Sequence, residues 1–198
     1  MVLLFLGGRD VFEAHIGQTE TQRAFERVDV ERPSPFLSHH QSEPPVPLGD
    51  ALAKLSIPRL HTQLFVVEGD GSAQLRRGPG HVAGTVMPGQ EGNCIIAGHR
   101  DTHFRVLKDI RKGDEIVLQT RGGQYTYRVE GTQVVSPSDR APLEPTHDAE
   151  LHLITCYPFY YLGSAPKRFV VRAELQATPN VAASDIALGD TLKPTRRR

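Results

Sequence analysis

Between Ser56 and Leu175 the chain alternates short β-prone runs with turn chemistry, and this alternation restricts the fold more than any other feature of the sequence. The runs are His61–Glu68, His81–Thr85, Cys94–Gly98, Glu115–Thr120, Gln124–Val135, Leu151–Thr155 and Phe169–Leu175. They are separated by Gly69-Asp70-Gly71, Pro88-Gly89, Lys112-Gly113-Asp114 and Gly122-Gly123. Glycine reaches the positive φ that tight turns need, and proline removes a ladder donor, so these words end strands. Inside the block only His103–Ile110 reads as helical. Short strands at this spacing predict an all-β fold, an antiparallel barrel or sandwich.

The flanks differ in kind. From Asp10 to Val28 no proline intervenes, and Val11, Phe12, Ile16, Ala24 and Phe25 approximate one face of a helix. Before it, Val2–Leu6 is a short apolar run, far below the ~20 residues a bilayer-spanning helix needs. It is also too short for a signal-peptide core and has no basic residue ahead of it. Residues 1–28 read as the stub of a membrane anchor followed by a helix, a frayed hydrophobic N-terminus being the other reading of Val2–Leu6. Residues 29–55 carry Pro33, Pro35, Pro44, Pro45 and Pro47 with interspersed serines, the composition of a semi-rigid linker that could hold a domain away from a surface. A tail over 177–198, ending in Arg196-Arg197-Arg198, has no periodicity and is expected to be disordered. That leaves 56–176 as the folded unit.

Composition narrows function. Lys+Arg and Asp+Glu number 23 each in 198 residues, for a formal net charge of zero. This disfavours a basic nucleic-acid footprint and an acidic disordered chain alike. The two cysteines, Cys94 and Cys156, cannot staple a disulfide-rich mini-fold, and no Cys-x-x-Cys pair suggests structural zinc. No metal and no cofactor are expected.

His99, Cys156 and Arg168 carry the chemistry. Each falls at an end of a predicted strand, where side chains can converge on one rim. Asn93-Cys94-Ile95-Ile96-Ala97-Gly98 delivers His99 to a loop, and Tyr157-Pro158 stops the strand that ends in Cys156. Arg168 opens the last strand. Neighbouring cationic groups favour a nucleophilic thiolate. An imidazole can protonate a leaving amine. A guanidinium can hold substrate carbonyls or a developing oxyanion.

The words around these residues are Ala97-Gly98-His99-Arg100-Asp101-Thr102, Leu153-Ile154-Thr155-Cys156-Tyr157-Pro158-Phe159 and Gly163-x-Ala165-Pro166-x-Arg168-Phe169-Val170-Val171. With Ile57-Pro58-Arg59, Gly78-x-Gly80-His81 and Gly89-x-x-Gly92-Asn93 upstream, the chain resembles the sortases, a family of cysteine transpeptidases, and most of all their class D branch. The resemblance spans about Ser56 to Leu175. It implies a closed eight-stranded β-barrel, with Cys156 as nucleophile, His99 as general acid/base and Arg168 stabilising substrate and oxyanion. Thr155 matches a position that shapes the substrate groove. Asp101 could orient the His99 loop or cap the helical turn that follows. The segment 136–150 corresponds to the stretch that lines the groove.

The implied reaction cleaves an LPXTG-like sorting signal after its threonine, forms a thioacyl-enzyme on Cys156 and transfers the acyl group to an amine. The implied partners are surface proteins bearing the signal, an amine acceptor such as a peptidoglycan peptide or a lysine side chain, and the membrane through an N-terminal anchor; nucleic acid is not one. The implied location is the cell membrane, with the catalytic domain outside the cytoplasm. Three alternatives stay open on the residues alone. His99, His103 and Cys156 could ligate a metal if the first two shared a helix. The chain could be another extracytoplasmic cysteine peptidase acting mainly as a hydrolase, or a non-catalytic β-domain. A Cys94–Cys156 disulfide would block the nucleophile.

Overall fold

The computed structural model describes residues 2–30, 45–161 and 163–176. The greater part of the expected linker and the C-terminal tail lie outside the described residues. Helix α1 (Val2–Val30) precedes strands β1 (Ala51–Ile57) and β2 (Thr62–Glu68). Helix α2 (Ser72–Arg77), β3 (Gly80–His81) and β4 (Asn93–Gly98) follow, then a 3-10 helix over His103–Asp109. The chain ends in β5 (Glu115–Gln119), β6 (Gln124–Val135), β7 (Glu150–Tyr157) and β8 (Lys167–Leu175). The strands close into a barrel in the order β1-β2-β3-β4-β7-β8-β6-β5.

The barrel is closed and eight-stranded, but it is not wholly antiparallel. Strands β2 and β3 pair in parallel, as do β4 and β7. The second of these pairings is the one that matters for function, because it makes β4 and β7 end at the same rim. Strand β1 begins inside the stretch read as linker. Its period-2 pattern is plain in the structure: Ala53, Leu55 and Ile57 face inward while Lys54 and Ser56 are half-exposed. Of the run His81–Thr85 only His81 lies in a strand. Its ring, 2% exposed, holds the following turn through contacts to Thr85 Oγ1 and the Val86 carbonyl at 3.0 and 3.1 Å.

The interior is filled from all sides by Leu55, Ile57, Ile96, Leu118, Tyr127, Leu153 and Val171, with Phe104 and Leu107 of the 3-10 helix closing one end. Each such side chain contributes about 1.5–3 kcal/mol by leaving water. The Tyr127 hydroxyl accepts a bond from the Gly89 amide at 2.7 Å. A buried anchor on the surface ties the entry of β5 to the turn after β1. Asp114 accepts from Arg59 Nε and Nη2 at 2.5 and 2.6 Å and from the Arg111 amide at 2.8 Å. The Arg59 hydrogen bonds hold the Asp114 carboxyl below its ordinary range, against the opposing effect of burial.

Helix α1 is docked on the barrel. The Gln18 side-chain amide treats the edge of β2 as a neighbouring strand would. Its Oε1 accepts from the Phe65 amide at 2.7 Å, and its Nε2 donates to the Phe65 and Arg77 carbonyls, each at 2.9 Å. The Phe25 and Phe65 rings meet at 6.0 Å between centroids. At Gly17 the helix comes so close to α2 that a Cβ would lie 2.5 Å from the Arg77 Cα. Over its described side chains, then, the helix packs on the domain as part of it. Among the described residues no helix is long and apolar enough to cross a membrane.

Candidate active site

Strand β7 carries Leu151, Leu153 and Thr155 inward, so Ile154 and Cys156 face the outside of the barrel. Cys156 is the register partner of Arg168 on antiparallel β8, and directly opposed residues share a face. On the other side of β7, parallel β4 ends with Gly98 opposite Thr155. Counting on by two from Ile95 and Ala97, His99 follows on the same outer face, one residue beyond that last rung. Three neighbouring strands thus bring the three expected residues to one end of the barrel, on its outer side at the rim.

Their surroundings differ. His99 is exposed, and Cys156 and Arg168 are half-buried. Arg168 Nη1 donates to the Ala165 and Lys167 carbonyls at 3.3 and 3.0 Å. Both cysteines are free thiols. Cys94 points into the core at 1% exposure, and burial pushes its thiol up to about 12, with Glu68 adding to the effect. An unreactive core thiol and an accessible rim thiol therefore sit on adjacent strands, without a bond between them.

Gly98 is required by a close approach. A Cβ there would lie 2.7 Å from the Phe104 ring, which seals the barrel end beneath the His99 loop. The Phe104 amide donates to the His99 carbonyl at 2.9 Å, fixing the backbone that presents the imidazole. His103 is buried, and burial lowers its pKa, with the Ala14 carbonyl and Asp101 opposing and His99 adding to the fall. The 3-10 helix starts only at His103, so His99 and His103 do not share a helix face. No cluster of His, Cys, Asp or Glu among the described residues could hold a metal ion. Thr102, not Asp101, occupies the N-cap position, and no side-chain bond closes it.

Thr155 is 2% exposed, and its hydroxyl donates to the Gly98 carbonyl at 2.7 Å. Its contact is with the neighbouring strand rather than with an open groove. Beside His99, a cavity of about 200 Å³ is walled by Ala14 of α1, Leu75 and Arg76 of α2, and Asp101 and Thr102.

Several residues around the site were not singled out in the sequence. Asn93, at the start of β4, donates to the Pro142 and Glu144 carbonyls at 3.0 and 3.2 Å, and His152 Nδ1 lies 2.7 Å from the same Pro142 carbonyl. These contacts pin the segment between β6 and β7. Arg100 reaches across to the loop between β7 and β8, and Phe159 of that loop packs with Tyr157 at the end of β7 and Phe169 near the start of β8 in an aromatic cluster. A buried asparagine in a strand start was the sole hint, since the other contacts join segments far apart in sequence.

The chain is similar to known proteins in sequence and in fold. Residues 55–176 match the Sortase domain family. Sortase D of Bacillus subtilis (strain 168) is 38% identical over 124 residues, 62% of this chain and 63% of that protein. The chain thus spans less than two thirds of that relative's length. Sortase A of Bacillus anthracis is 26% identical over 183 residues, 85% of each chain. Among solved structures, the catalytic domain of B. anthracis SrtD is 32% identical and covers 71% of this chain and 97% of its own, with a TM-score of 0.59. The Clostridium perfringens Sortase D5 transpeptidase covers 83% and 99%, with a TM-score of 0.65, and at 24% identity it is a likeness of fold.

Proposed function

This chain belongs to the sortase family of cysteine transpeptidases, and we propose that it cleaves an LPXTG-like sorting signal and transfers the released acyl group to an amine. The observation that supports this most is the convergence described above: Cys156 opposite Arg168, with His99 one residue past the Gly98–Thr155 pair. Cys156 Sγ, as thiolate, attacks the carbonyl carbon of the signal's threonine. The oxygen of that carbonyl takes the negative charge, and the Arg168 guanidinium stabilises it. His99, as imidazolium, protonates the leaving nitrogen as the C–N bond breaks, leaving a thioester on Cys156. An incoming amine then attacks the thioester, His99 accepts its proton, and the thiolate is released.

Thr155 enters this scheme as a residue that sets the spacing of β4 and β7, through its bond to Gly98. The catalytic unit is 56–176 together with the β1 residues just ahead of it. The partners are signal-bearing surface proteins and an amine acceptor of the peptidoglycan-peptide or lysine kind. The domain works outside the cytoplasm, at the membrane, through an N-terminal anchor. No cofactor takes part in the scheme.

Incubation of the protein with a panel of sorting-signal peptides, followed by mass spectrometry, tests the reading. A peptide adduct on Cys156, ending at threonine, is the expected result. Full turnover of a fluorogenic LPXTG peptide by Cys156→Ala would refute it.

A further inference from the structure

The loop between β7 and β8 joins Cys156 to Arg168, and the loop after β4 begins with His99. Strand pairing sets Cys156 opposite Arg168 but orders neither the loop residues between Tyr157 and Lys167 nor anything past Gly98, so the ladder alone does not settle where His99 stands relative to the other two groups. A side chain does. Arg100, next to His99, places Nη2 2.7 Å from the Tyr161 carbonyl and 2.8 Å from the Gly163 carbonyl. Both hydrogens of one guanidinium nitrogen are thereby used on the opposite loop. The same guanidinium lies 5.9 Å from the centre of the Tyr161 ring, and Arg105 lies 5.1 Å from that of Tyr160. These contacts explain why two tyrosines are exposed side by side at the rim, at 72% and 45%.

We propose that Arg100 is a positioning residue for the reaction: it straps the loop joining Cys156 to Arg168 onto the loop of His99 and sets the distance of the acid/base from the paired nucleophile and oxyanion group. The strap continues to Arg168, whose Nη1 rests on the Ala165 carbonyl two residues past Gly163 in the same loop. Its neighbour His99 is held from the other side by the Phe104 amide. Arg100 therefore has a fixed base and a fixed grip. Among the described residues, its two bonds are the side-chain hydrogen bonds that join these two loops.

The proposal rests on the transpeptidase reading, and the test separates the two. Wild type, Arg100→Ala, Arg100→Lys, Tyr161→Ala and Cys156→Ala are assayed with a fluorogenic LPXTG peptide and hydroxylamine as acceptor, normalised by active-site titration and checked for melting temperature. Arg100→Ala is expected to lose about 10- to 100-fold in kcat, the scale of a misplaced catalytic group, with KM for the peptide within about 3-fold. Arg100→Lys, which can still offer two hydrogens from one nitrogen, recovers most of the loss. Tyr161→Ala, which keeps the backbone carbonyl, loses less than Arg100→Ala. The pH dependence of Cys156 alkylation by iodoacetamide also shifts in Arg100→Ala, because the thiol and imidazole no longer keep their spacing.

Wild-type kcat in Arg100→Ala, or a loss accounted for wholly by a lower titrated active fraction, overturns the proposal. Failure of lysine to recover any activity overturns it as well. Turnover by Cys156→Ala sinks the transpeptidase reading instead, whatever Arg100 does.

Discussion

The Thr155 hydroxyl donates to the Gly98 carbonyl at 2.7 Å, so the residue before Cys156 is tied to the residue before His99. The two also form the last rung of the parallel β4–β7 ladder. Beyond that rung the backbones separate, and each delivers its reactive side chain to a loop or strand end. A bond at this point acts on the spacing of Cys156 and His99, the proposed nucleophile and acid/base, without touching either. It also gives a buried threonine a reason to stand beside Cys156, since the hydroxyl satisfies a buried carbonyl oxygen.

Replacing Thr155 with valine keeps the shape and removes the donor. Leaving the Gly98 carbonyl short of its partner costs about 1–3 kcal/mol, read as a lower midpoint in urea unfolding. Turnover number should fall while KM for the signal peptide stays near wild type. Thr155→Ser, which restores the hydroxyl, should recover both. A change confined to KM would point to direct substrate contact instead.

Gly98→Ala forces a methyl to within 2.7 Å of the Phe104 ring, a fully buried group with no room to retreat. Overpacking of this kind costs about 1–3 kcal/mol. The displacement is transmitted to the His99 backbone, which Phe104 holds by its amide. Calorimetry should show a lower melting temperature, and trimming the ring with Phe104→Leu in the same chain should recover part of it. Additive losses in the double variant would place the strain elsewhere.

The two thiols should differ in labelling by iodoacetamide at neutral pH. Cys94 is sealed in the core with its thiol pushed up to about 12, so in the native protein it stays protonated and inaccessible. Cys156 is half-buried at the rim. Peptide mapping should find the label on Cys156, and Cys94 should join it only after denaturation. Equal labelling in the native state would contradict the burial of Cys94.

Asp114 gives a pH signature. Arg59 holds its folded-state pKa below the ordinary 3.8, so the ionised carboxylate favours the folded state. That stability is complete above about pH 4–5, where the unfolded chain is also ionised, and is lost as the pH falls through the lower folded value. Asp114→Asn should therefore melt below wild type at pH 7 and at pH 5, and the gap should narrow from about pH 4 downward. Melting curves across pH 2–7 read it directly. A gap that widened in acid would reverse the sign and exclude the ion pair as its source.

Much of the site was legible before folding. A strand pattern ending in glycine and then histidine, a second ending in cysteine before a proline, and an arginine opening the last strand drew attention to His99, Cys156 and Arg168, and the words around them carried the resemblance that gave them roles. Strands β5 and β6 were equally plain, since their alternation and glycine turns are local signals. Strand β1 was less so. The proline-rich stretch running up to it masked the alternation of Ala53, Leu55 and Ile57, which has meaning only against a barrel interior.

Neighbours along the chain were enough to mark the candidate nucleophile and most of the strands, β1 and the short β3 excepted, because periodicity, turn residues and nucleophile identity are local properties. The tertiary structure alone decided how the groups are spaced. The Thr155–Gly98 bond joins residues 57 apart, the Gln18–Phe65 bonds residues 47 apart, and the Arg100 bonds residues 61 and 63 apart. No local pattern encodes such pairs. They exist because parallel β4 and β7 end at one rim, and because closing the barrel leaves a helix and two loops with backbone groups that these side chains satisfy.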